Sequence, residues 1–393
     1  MRALDHSYLA VQGPPGTGKT HVASHVIARL VDAGWRVGVT SQGHAAIDNV
    51  LGAVIRAGVD PARVGKPAKA SRSGDSTAAA DVPWTVLDRG AMAEFCAQEG
   101  GYVVGGTAWD LCHEERIARG QLDLLVIDEA GQYSLAKTLA TSVAADNLLL
   151  LGDPQQLPQV SQGVHPAPIH ESALGWLLDG ASTVPPTHGY FLETTWRMHS
   201  DLTRRVSRLS YDGQLLAHER TDARGLAGVA PGLHTVTVDH HDNRTSSTEE
   251  ARAVRDLVRD LLGRDWTAPD EGGRPRPLDQ DDFCIVTPYN AQVHLLRTVL
   301  DDAGLDRVPV GTVDLFQGQE APVAILSMAA SAHTDVSRGM AFLLDRHRLN
   351  VAISRGKWAA YVVRSEVLTD FAPRSSRELL ALGAFIGLTA PED

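Results

Sequence analysis

The sequence predicts an α/β protein with two parallel sheets, and three observations indicate this class. Short apolar runs alternate with helical stretches in the first half, at residues 8–12, 36–40, 102–105, 124–127 and 148–151. The second half repeats the alternation, with runs at residues 190–192, 235–238, 283–287, 308–313, 323–328 and 360–363. Continuous apolar runs are typical of strands that covering helices bury on both faces. A length of 393 residues suits two domains, which we expect at residues 1–184 and 185–393.

Composition shifts mark the segments outside these sheets. Residues 66–90 are rich in Ala, Ser, Gly, Asp and Pro, which predicts a small insertion over about residues 58–100 of the first domain. The Gly-, Pro- and Thr-containing stretch 180–189 is the best candidate linker between the domains. Prolines and charges at residues 264–280 predict a loop.

One helix of the second domain carries clear end signals. Ser247 and Glu250 have the spacing of a capping box, in which each side chain bonds the backbone of the other residue. Gly263 has the position of a helix-terminating glycine. We therefore expect a helix over residues 248–262, and a second one between Asn290 and Gly304.

Charge and cysteine usage limit the class of protein. The net charge of −12 does not indicate a basic nucleic-acid-binding domain, although local charge matters more than the sum. Two basic clusters, in residues 61–74 and at Arg204, Arg205 and Arg208, are equally consistent with a binding surface and with a solvated one. No apolar run approaches the ~20 residues of a membrane helix, and no signal peptide is visible. Scattered Cys96, Cys112 and Cys284 fit a reducing cytosol, so we expect a cytoplasmic protein.

Residues 13–20 form a phosphate-binding loop between a predicted strand and a predicted helix. Its glycines allow backbone turns that direct N–H groups and the helix N-terminus at phosphates. Lys19 would reach the β- and γ-phosphates, and the Thr20 hydroxyl would bind Mg²⁺. The nucleotide-binding residues predicted here are Gly13, Pro14, Pro15, Gly16, Thr17, Gly18, Lys19 and Thr20.

Two further strands deliver polar residues to the same sheet edge, because parallel strands bind ligands at their carboxyl ends. The run 124–127 ends in Asp128 and Glu129. Asp128 is placed to hold Mg²⁺, and Glu129 can activate the attacking water as a general base. Gln156, after the run 148–151, can bond a phosphate or that water.

The ordered motifs resemble the motor core of a superfamily 1 class B helicase over nearly the whole chain. The matching segments are residues 13–20, 39–49, 104–108, 128–132, 152–158, 192–199, 287–290, 310–320 and 349–357. This resemblance implies two tandem RecA-like P-loop NTPase domains that use ATP and Mg²⁺. It also implies movement along single-stranded nucleic acid in the 5′ to 3′ direction. We expect DNA rather than RNA as the partner strand, although the residues matching the nucleic-acid groove include no obvious reader of the 2′-OH.

The same resemblance implies roles for residues of the second domain. Arg197 and Arg355 match the arginines that contact the γ-phosphate, each acting as an arginine finger. Glu320 matches an acid that binds the ribose, and Trp196 stands where the family has an aromatic residue that stacks on adenine. A surface salt bridge for each arginine, and a core position for Trp196, are the structural alternatives.

Nucleic-acid contacts are also implied by the resemblance. The matching residues are Ser41, Gln42, Thr107, Pro158, Tyr289, Asn290, Thr312 and Asp314. They are mostly polar and uncharged, so they could hold a strand without reading its sequence. Each could equally be a helix cap or a loop hydrogen bond.

The sequence departs from the family in one respect and leaves other functions open. The family has a glutamine segment well upstream of the phosphate loop that reads adenine, whereas twelve residues precede Gly13 here and Gln12 is no obvious substitute. Adenine specificity is therefore left open, and we expect the chain to be a piece of a longer protein. Residues 104–110 and 159–163 resemble bacterial fusions of a RecB-like nuclease with such a helicase, which makes a nuclease domain or subunit a candidate partner. We expect a monomer without membrane association. A nucleotide-gated clamp without unwinding activity and a P-loop enzyme for a small molecule are the rival functions.

Overall fold

The computed structural model describes residues 1–68, 82–88, 90–159, 163, 165–316 and 318–390. The chain divides into two compact units. The first contains Met1–Pro14, Gly18–Pro154 and Pro158–Leu192, and the second contains Pro15–Thr17, Gln155–Leu157 and the chain from Glu193 onward. Each unit is built on its own parallel sheet with helices, which confirms the predicted fold class.

The first unit has eight parallel strands in the order β4-β3-β5-β2-β6-β7-β1-β8. The strands are β1 Tyr8–Gln12, β2 Arg36–Thr40, β3 Val64–Pro67, β4 Thr85–Leu87, β5 Tyr102–Gly105, β6 Leu124–Ile127, β7 Leu148–Gly152 and β8 Gly189–Phe191. The helices are α1 Lys19–Asp32, α2 His44–Arg56, α3 Ala91–Cys96, α4 Ala108–Leu111, α5 Leu135–Ser142 and α6 Ala173–Leu178. Every residue of β6 is buried, as its unbroken apolar sequence predicts.

The second unit has a five-stranded parallel sheet in the order β12-β18-β17-β15-β16. A parallel pair, β9 with β10, and an antiparallel sheet, β11-β13-β14, accompany it. The strands are β9 Thr194–Thr195, β10 Leu216–Ala217, β11 Gly225–Leu226, β12 Gly232–Val238, β13 Asp265–Thr267, β14 Arg276–Pro277, β15 Phe283–Val286, β16 Val310–Gly311, β17 Ala321–Ser327 and β18 Gly356–Ser365. The helices are α7 Ser200–Ser210, α8 Thr248–Leu261, α9 Asn290–Asp301, α10 Met340–Leu343, α11 Arg346–Ile353 and α12 Ser376–Thr389.

The change between units falls later than the predicted boundary after residue 184. Strand β8 pairs with β1, with Ala10 opposite Gly189, and so belongs to the first sheet. The change therefore comes between Leu192 and Glu193. The stretch 180–189 leads into a paired strand rather than into a free linker.

The predicted insertion near residues 58–100 is also different where the structure describes it. Strands β3 and β4 pair with each other, and β3 pairs with β5, so they widen the main sheet. Val64 is fully buried and Leu87 nearly so, which shows that this edge belongs to the core. Residues 69–81 and 89 of the predicted insertion lie outside the described residues.

Helix α8 begins after Ser247, but the predicted capping box does not form. The Ser247 side chain accepts a hydrogen bond from the Glu250 backbone N–H at 3.1 Å, as expected. The Glu250 carboxylate instead points inward and accepts from the Ser327 hydroxyl at 2.6 Å and from the Ala329 backbone N–H at 2.9 Å. The Ser247 backbone N–H donates to the Gln292 side chain at 2.8 Å. A buried polar network therefore replaces the reciprocal cap.

The described members of the two basic clusters are bound to neighbouring groups. Lys66 is buried and pairs with Asp48. Arg204 pairs with Asp201 at 2.8 Å, and Arg205 donates to the backbone of Gly387 at 3.3 Å. These contacts favour the structural alternative for both clusters.

The three cysteines are free thiols. Cys96 and Cys284 are buried, whereas Cys112, at the end of α4, is exposed. Among the described residues, none of the helices combines the length and the apolar character needed to cross a bilayer.

Candidate functional site

The phosphate loop connects β1 to α1 in the conformation that its glycines predict. Gly16 and Gly18 have φ values of +76° and +77°, a region that favours glycine. The Gly13 backbone N–H donates to the Gly152 carbonyl at 2.9 Å, which fixes the start of the loop to the end of β7. The loop is therefore anchored beside the strand ends of the first sheet.

Three charged groups meet at the carboxyl end of β6. The Lys19 ammonium donates to the Gly13 carbonyl and lies near enough to Asp128 to lower its pKa. The buried position of Asp128 raises its pKa most, and the negative charge of adjacent Glu129 raises it further. Together they outweigh the Lys19 charge, so the pKa of Asp128 rises to about 7. The structure thus brings together Lys19, Asp128 and Glu129.

The turn after Asp128 is held in an unusual backbone conformation. Glu129 has a φ of +54°, which is rare for a residue with a side chain. Hydrogen bonds on both sides fix this turn, since the Ala130 N–H donates to Leu151 at 2.7 Å and the Gln132 N–H donates to Glu129 at 2.7 Å. The Glu129 backbone is therefore oriented by its surroundings.

Two glycines allow this turn to lie against the end of β7. A Cβ atom on Gly131 would come within 2.6 Å of the Asp153 carbonyl oxygen. A Cβ atom on Gly152 would come within 2.7 Å of the Ala130 nitrogen. Only glycine fits at either position, so the close approach of these segments explains both residues.

The donor groups of this region suit Mg²⁺. The Thr20 hydroxyl and the Asp128 carboxylate are hard oxygen donors, and Mg²⁺ is usually held by one or two carboxylates with waters and phosphates. A cation would also offset the cost of an ionised Asp128 in a buried position. Among the described residues, no group of three His, Cys, Asp or Glu side chains forms an all-protein metal site.

Gln12, next to the phosphate loop in sequence, and Gln156 are both enclosed. Gln12 is fully buried, and its amide nitrogen donates to Asp153 at 3.3 Å and to the Ser182 carbonyl at 3.1 Å. Its oxygen accepts from the Val184 N–H at 2.8 Å. Gln12 is therefore occupied with structural bonds. Gln156 is also buried.

In the second unit, Arg197 lies in an ion-pair cluster. Its Nε donates to Glu320 at 2.7 Å, and its Nη1 donates to the Ser354 carbonyl at 3.1 Å. Lys357 also lies 3.4 Å from Glu320 and pairs with Glu271 at 2.9 Å. Burial raises the pKa of Glu320, but the Arg197 and Lys357 charges outweigh burial and hold it below its usual value.

Arg355 lies near this cluster but in the protein interior. Its Nε donates to the Val351 carbonyl at 2.8 Å, and its Nη1 donates to the carbonyls of Phe316 at 3.2 Å and Gln319 at 3.0 Å. Burial, helped by the nearby Arg197 charge, lowers the pKa of Arg355 to about 9. In this structure the guanidinium therefore links α11 to the loop before β17, and its predicted contact with the γ-phosphate stays a prediction.

Arg224 is a candidate functional residue that sequence reasoning did not find. Its buried guanidinium donates to the Arg197 carbonyl and, at 3.1 Å, to the Trp196 carbonyl. The same guanidinium forms an ion pair with Asp270, with 2.7 Å between Arg224 Nη2 and the carboxylate oxygen Oδ2. Trp196 itself is half exposed and stacks on His218 with ring centroids 3.6 Å apart. Arg224 therefore fixes the backbone of both predicted nucleotide-contacting residues.

The predicted nucleic-acid residues of the first unit have different environments. Ser41 is buried, and its hydroxyl has no hydrogen-bond partner among the described residues. Gln42 is exposed and accepts a hydrogen bond from Lys137 at 3.0 Å. The Thr107 hydroxyl bonds Asp110 at 2.7 Å in a capping box of α4, which is the alternative left open for it. Pro158 is exposed.

The predicted nucleic-acid residues of the second unit follow two adjacent strands, β15 and β16. Tyr289 is buried, 6.0 Å from the Phe342 ring centre. Asn290 is exposed at the start of α9, Thr312 is half-buried and Asp314 is exposed. Their contacts with nucleic acid stay predictions.

Comparisons with known proteins agree with this architecture. Two family models match the chain, both described as an AAA domain, over residues 2–174 and 177–366. A DNA polymerase alpha-associated DNA helicase A of Schizosaccharomyces pombe is 27% identical over 400 residues, with 88% of this chain and 59% of that protein covered. A DNA replication ATP-dependent helicase/nuclease of Arabidopsis thaliana is 24% identical over 384 residues, with 91% of this chain and 27% of that protein covered.

A solved structure of the arterivirus nonstructural protein 10 helicase with DNA aligns at a TM-score of 0.47 and 14% identity. It covers 91% of this chain and 60% of that one. The chain spans less than two thirds of the length of each of these relatives.

Two tandem AAA-domain matches, the first over a phosphate loop beside an Asp-Glu pair, agree with the predicted tandem P-loop NTPase domains. Together with the ordered motifs, the similarity to proteins named as helicases supports a superfamily 1 helicase motor core. The finer resemblance to RecB-like nuclease fusions stays a prediction.

Proposed function

We propose that the protein hydrolyses ATP to move along single-stranded nucleic acid and to separate duplexes. The observation that carries this proposal is the meeting of Lys19, Asp128 and Glu129 at the carboxyl edge of the first sheet. This is the arrangement expected of an active phosphoryl-transfer site rather than of a structural one. The names of the relatives support a helicase. The 5′ to 3′ direction rests on the family resemblance, and DNA is proposed as the strand because these relatives are named as DNA helicases.

Each group of the first unit has a defined task in this proposal. The N–H groups of residues 13–20 and the Lys19 ammonium bind the phosphates of ATP. Thr20 and Asp128 would hold Mg²⁺, which offsets the negative charge that develops on the phosphates. Glu129 takes a proton from the attacking water as general base. Its fixed backbone limits the orientations from which the carboxylate can act.

We further propose that Arg197 and Arg355 contact the γ-phosphate during hydrolysis, with Glu320 and Trp196 binding ribose and adenine. Arg197 would exchange Glu320 for phosphate, a substitution of one anion for another. Arg355 would first have to release the carbonyls of Phe316 and Gln319. The loop before β17 would therefore change conformation when ATP binds.

The test is ATPase activity with matched single-stranded DNA and RNA. We expect stimulation by a strand, and a loss of about 100-fold or more in kcat for Lys19→Ala and for Glu129→Gln. Glu114→Gln, which changes an exposed acid of the same unit, is the matched control and should keep wild-type activity. Full strand-stimulated activity in either site variant would refute the assigned mechanism.

Two further measurements separate the alternatives. A strand-displacement assay distinguishes a helicase from a nucleotide-gated clamp, which would hydrolyse ATP without separating strands. An ATPase rate that every nucleic acid leaves unchanged would favour a small-molecule enzyme.

We also propose that this core is a monomer and that a nuclease domain or subunit accompanies it, because one relative is named as a helicase/nuclease. Nuclease activity from this chain alone would contradict that division.

A further inference from the structure

We propose that Trp109 stacks on a base of the bound strand and that Lys137 contacts an adjacent phosphate. This inference rests on the proposed function and gives it a specific contact in the first unit. The indole of Trp109 is 86% exposed, more than any other large apolar side chain among the described residues. A side chain this exposed buries little apolar surface within the described part of the chain, so the ring is open to a ligand.

The backbone that carries Trp109 is firmly held. It lies in the first turn of α4, where the Thr107 N–H donates to Asp110 at 2.8 Å and the Thr107 hydroxyl donates at 2.7 Å. Asp110 is buried and also pairs with Arg116. Because the turn is ordered before any ligand arrives, stacking on this indole requires little further ordering.

The position of Trp109 in the sheet favours a ligand contact. Helix α4 follows β5 directly, and β5 pairs with β2. Strand β2 in turn leads to Ser41 and Gln42, which the family resemblance implies as nucleic-acid contacts. Parallel sheets of this type bind ligands at the carboxyl ends of their strands. The exposed indole therefore stands at the edge of the sheet that is expected to bind the strand.

A positive charge lies on the neighbouring helix. Lys137 belongs to α5, which packs against α4. Its ammonium bonds Gln42 at 3.0 Å and lies 5.9 Å from the Tyr133 ring centre. In the part of the chain that the structure describes, no carboxylate forms an ion pair with it. In a protein with a net charge of −12, this amine is available for a phosphate.

An exposed aromatic ring and a cation on neighbouring helices are the combination that single-stranded nucleic-acid binding uses. The ring stacks on any base, and the cation binds the backbone, so neither contact reads sequence. A protein partner is the competing occupant of this surface. An exposed indole on α4 and an ammonium on α5, the helix packed against it, favour a ligand that is both anionic and planar.

The experiment compares binding of an oligothymidylate with binding of an abasic strand of equal length, by fluorescence anisotropy. Trp109→Ala should weaken oligothymidylate binding by about 5- to 150-fold, the range for loss of one stacked base, and should barely change abasic binding. Trp109→Phe should restore most of the affinity. Lys137→Gln should instead reduce the slope of log K against log salt by about 0.7, the value for one phosphate contact on a single strand.

Tyr190→Ala is the matched control. Tyr190 is an exposed aromatic residue on β8, the edge strand of the same sheet that lies farthest from β5 in the direction of β1. It should bind both strands as the wild type does. Melting curves establish that each variant is folded. Wild-type affinity in Trp109→Ala, or an equal loss on both strands, overturns the proposal while the proposed helicase function stands. A wild-type protein that binds no single strand overturns both.

Discussion

Burial is the strongest influence on Asp128, whose carboxylate lies at the end of a wholly buried strand. The pKa of about 7 means that the folded protein holds a proton there which the unfolded chain, with its ordinary value, would release. Between about pH 4 and pH 7 the folded state therefore binds more protons than the unfolded state. For this group alone, stability falls as the pH rises through that interval.

We therefore expect Asp128→Asn to stabilise the protein at pH 8 when Mg²⁺ and nucleotide are absent. The variant carries no charge that must be buried, so its melting temperature should exceed the wild-type value by about 2–8 °C. The difference should shrink toward zero at pH 5, where Asp128 is protonated. Scanning calorimetry at both pH values measures the melting temperatures. Asp5→Asn, which changes an exposed carboxylate, is the control. A lower melting temperature for Asp128→Asn at pH 8 would contradict the assignment.

At the scale of the element, the backbone of the segment directly after β9 is held by a side chain from a later segment of the chain. Trp196 and Arg197 are fixed through their carbonyls by Arg224, and Asp270 orients Arg224 from the side of the small antiparallel sheet. These contacts involve the backbone carbonyls of Trp196 and Arg197 and not their side chains. Arg224 is therefore a positioning residue for the proposed ATP contacts.

Arg224→Ala should raise the KM for ATP about 10-fold, because two backbone carbonyls lose their donors and the segment loses its fixed conformation. Arg224→Lys should recover only part of this loss, since an ammonium cannot reproduce the two-pronged contact. Steady-state ATPase kinetics measure both. Arg220→Ala, an exposed arginine of the same loop, should be indistinguishable from wild type. An unchanged KM in Arg224→Ala would remove the positioning role.

At the scale of the whole molecule, the charge balance should govern the salt dependence of binding. The net charge is −12, and the proposed nucleic-acid residues are mostly uncharged, with Lys137 as the added cation. Each phosphate neutralised on a single strand contributes about −0.7 to the slope of log K against log salt. We expect a slope no steeper than about −2 for single-stranded DNA. Binding titrations across a salt series measure it, and a slope near −5 would indicate a basic groove that this surface does not include.

The sequence predicts most of the two main sheets and the ATP-binding half of the candidate site. Buried parallel strands such as β6 are continuous apolar runs, and the phosphate loop has a fixed spacing, so both are visible locally. The small sheet of β11, β13 and β14 was missed because its strands are two or three residues long and lie among prolines and charges. Such short strands leave no periodic signal.

The contacts that position the site depend on tertiary structure and were invisible for that reason. Glu250 has the spacing of a capping residue, yet the buried hydroxyl of Ser327 competes successfully for its carboxylate. Arg224 is one arginine in a charged loop, and its partner Asp270 is distant in sequence. Nothing in the spacing of these residues distinguishes them from solvated surface positions. Their roles follow only from the groups that the fold places beside them.

The exposed thiol of Cys112 offers a practical route to observing this surface. It lies at the end of α4, on the same short helix as Trp109. Burial raises the pKa of Cys96 to about 11 and that of Cys284 to about 12, so neither enclosed thiol competes well for an alkylating dye at neutral pH. The natural chain should therefore accept one fluorophore without mutagenesis. That dye would sit within one helical turn of the indole and would report the binding and release of the proposed strand.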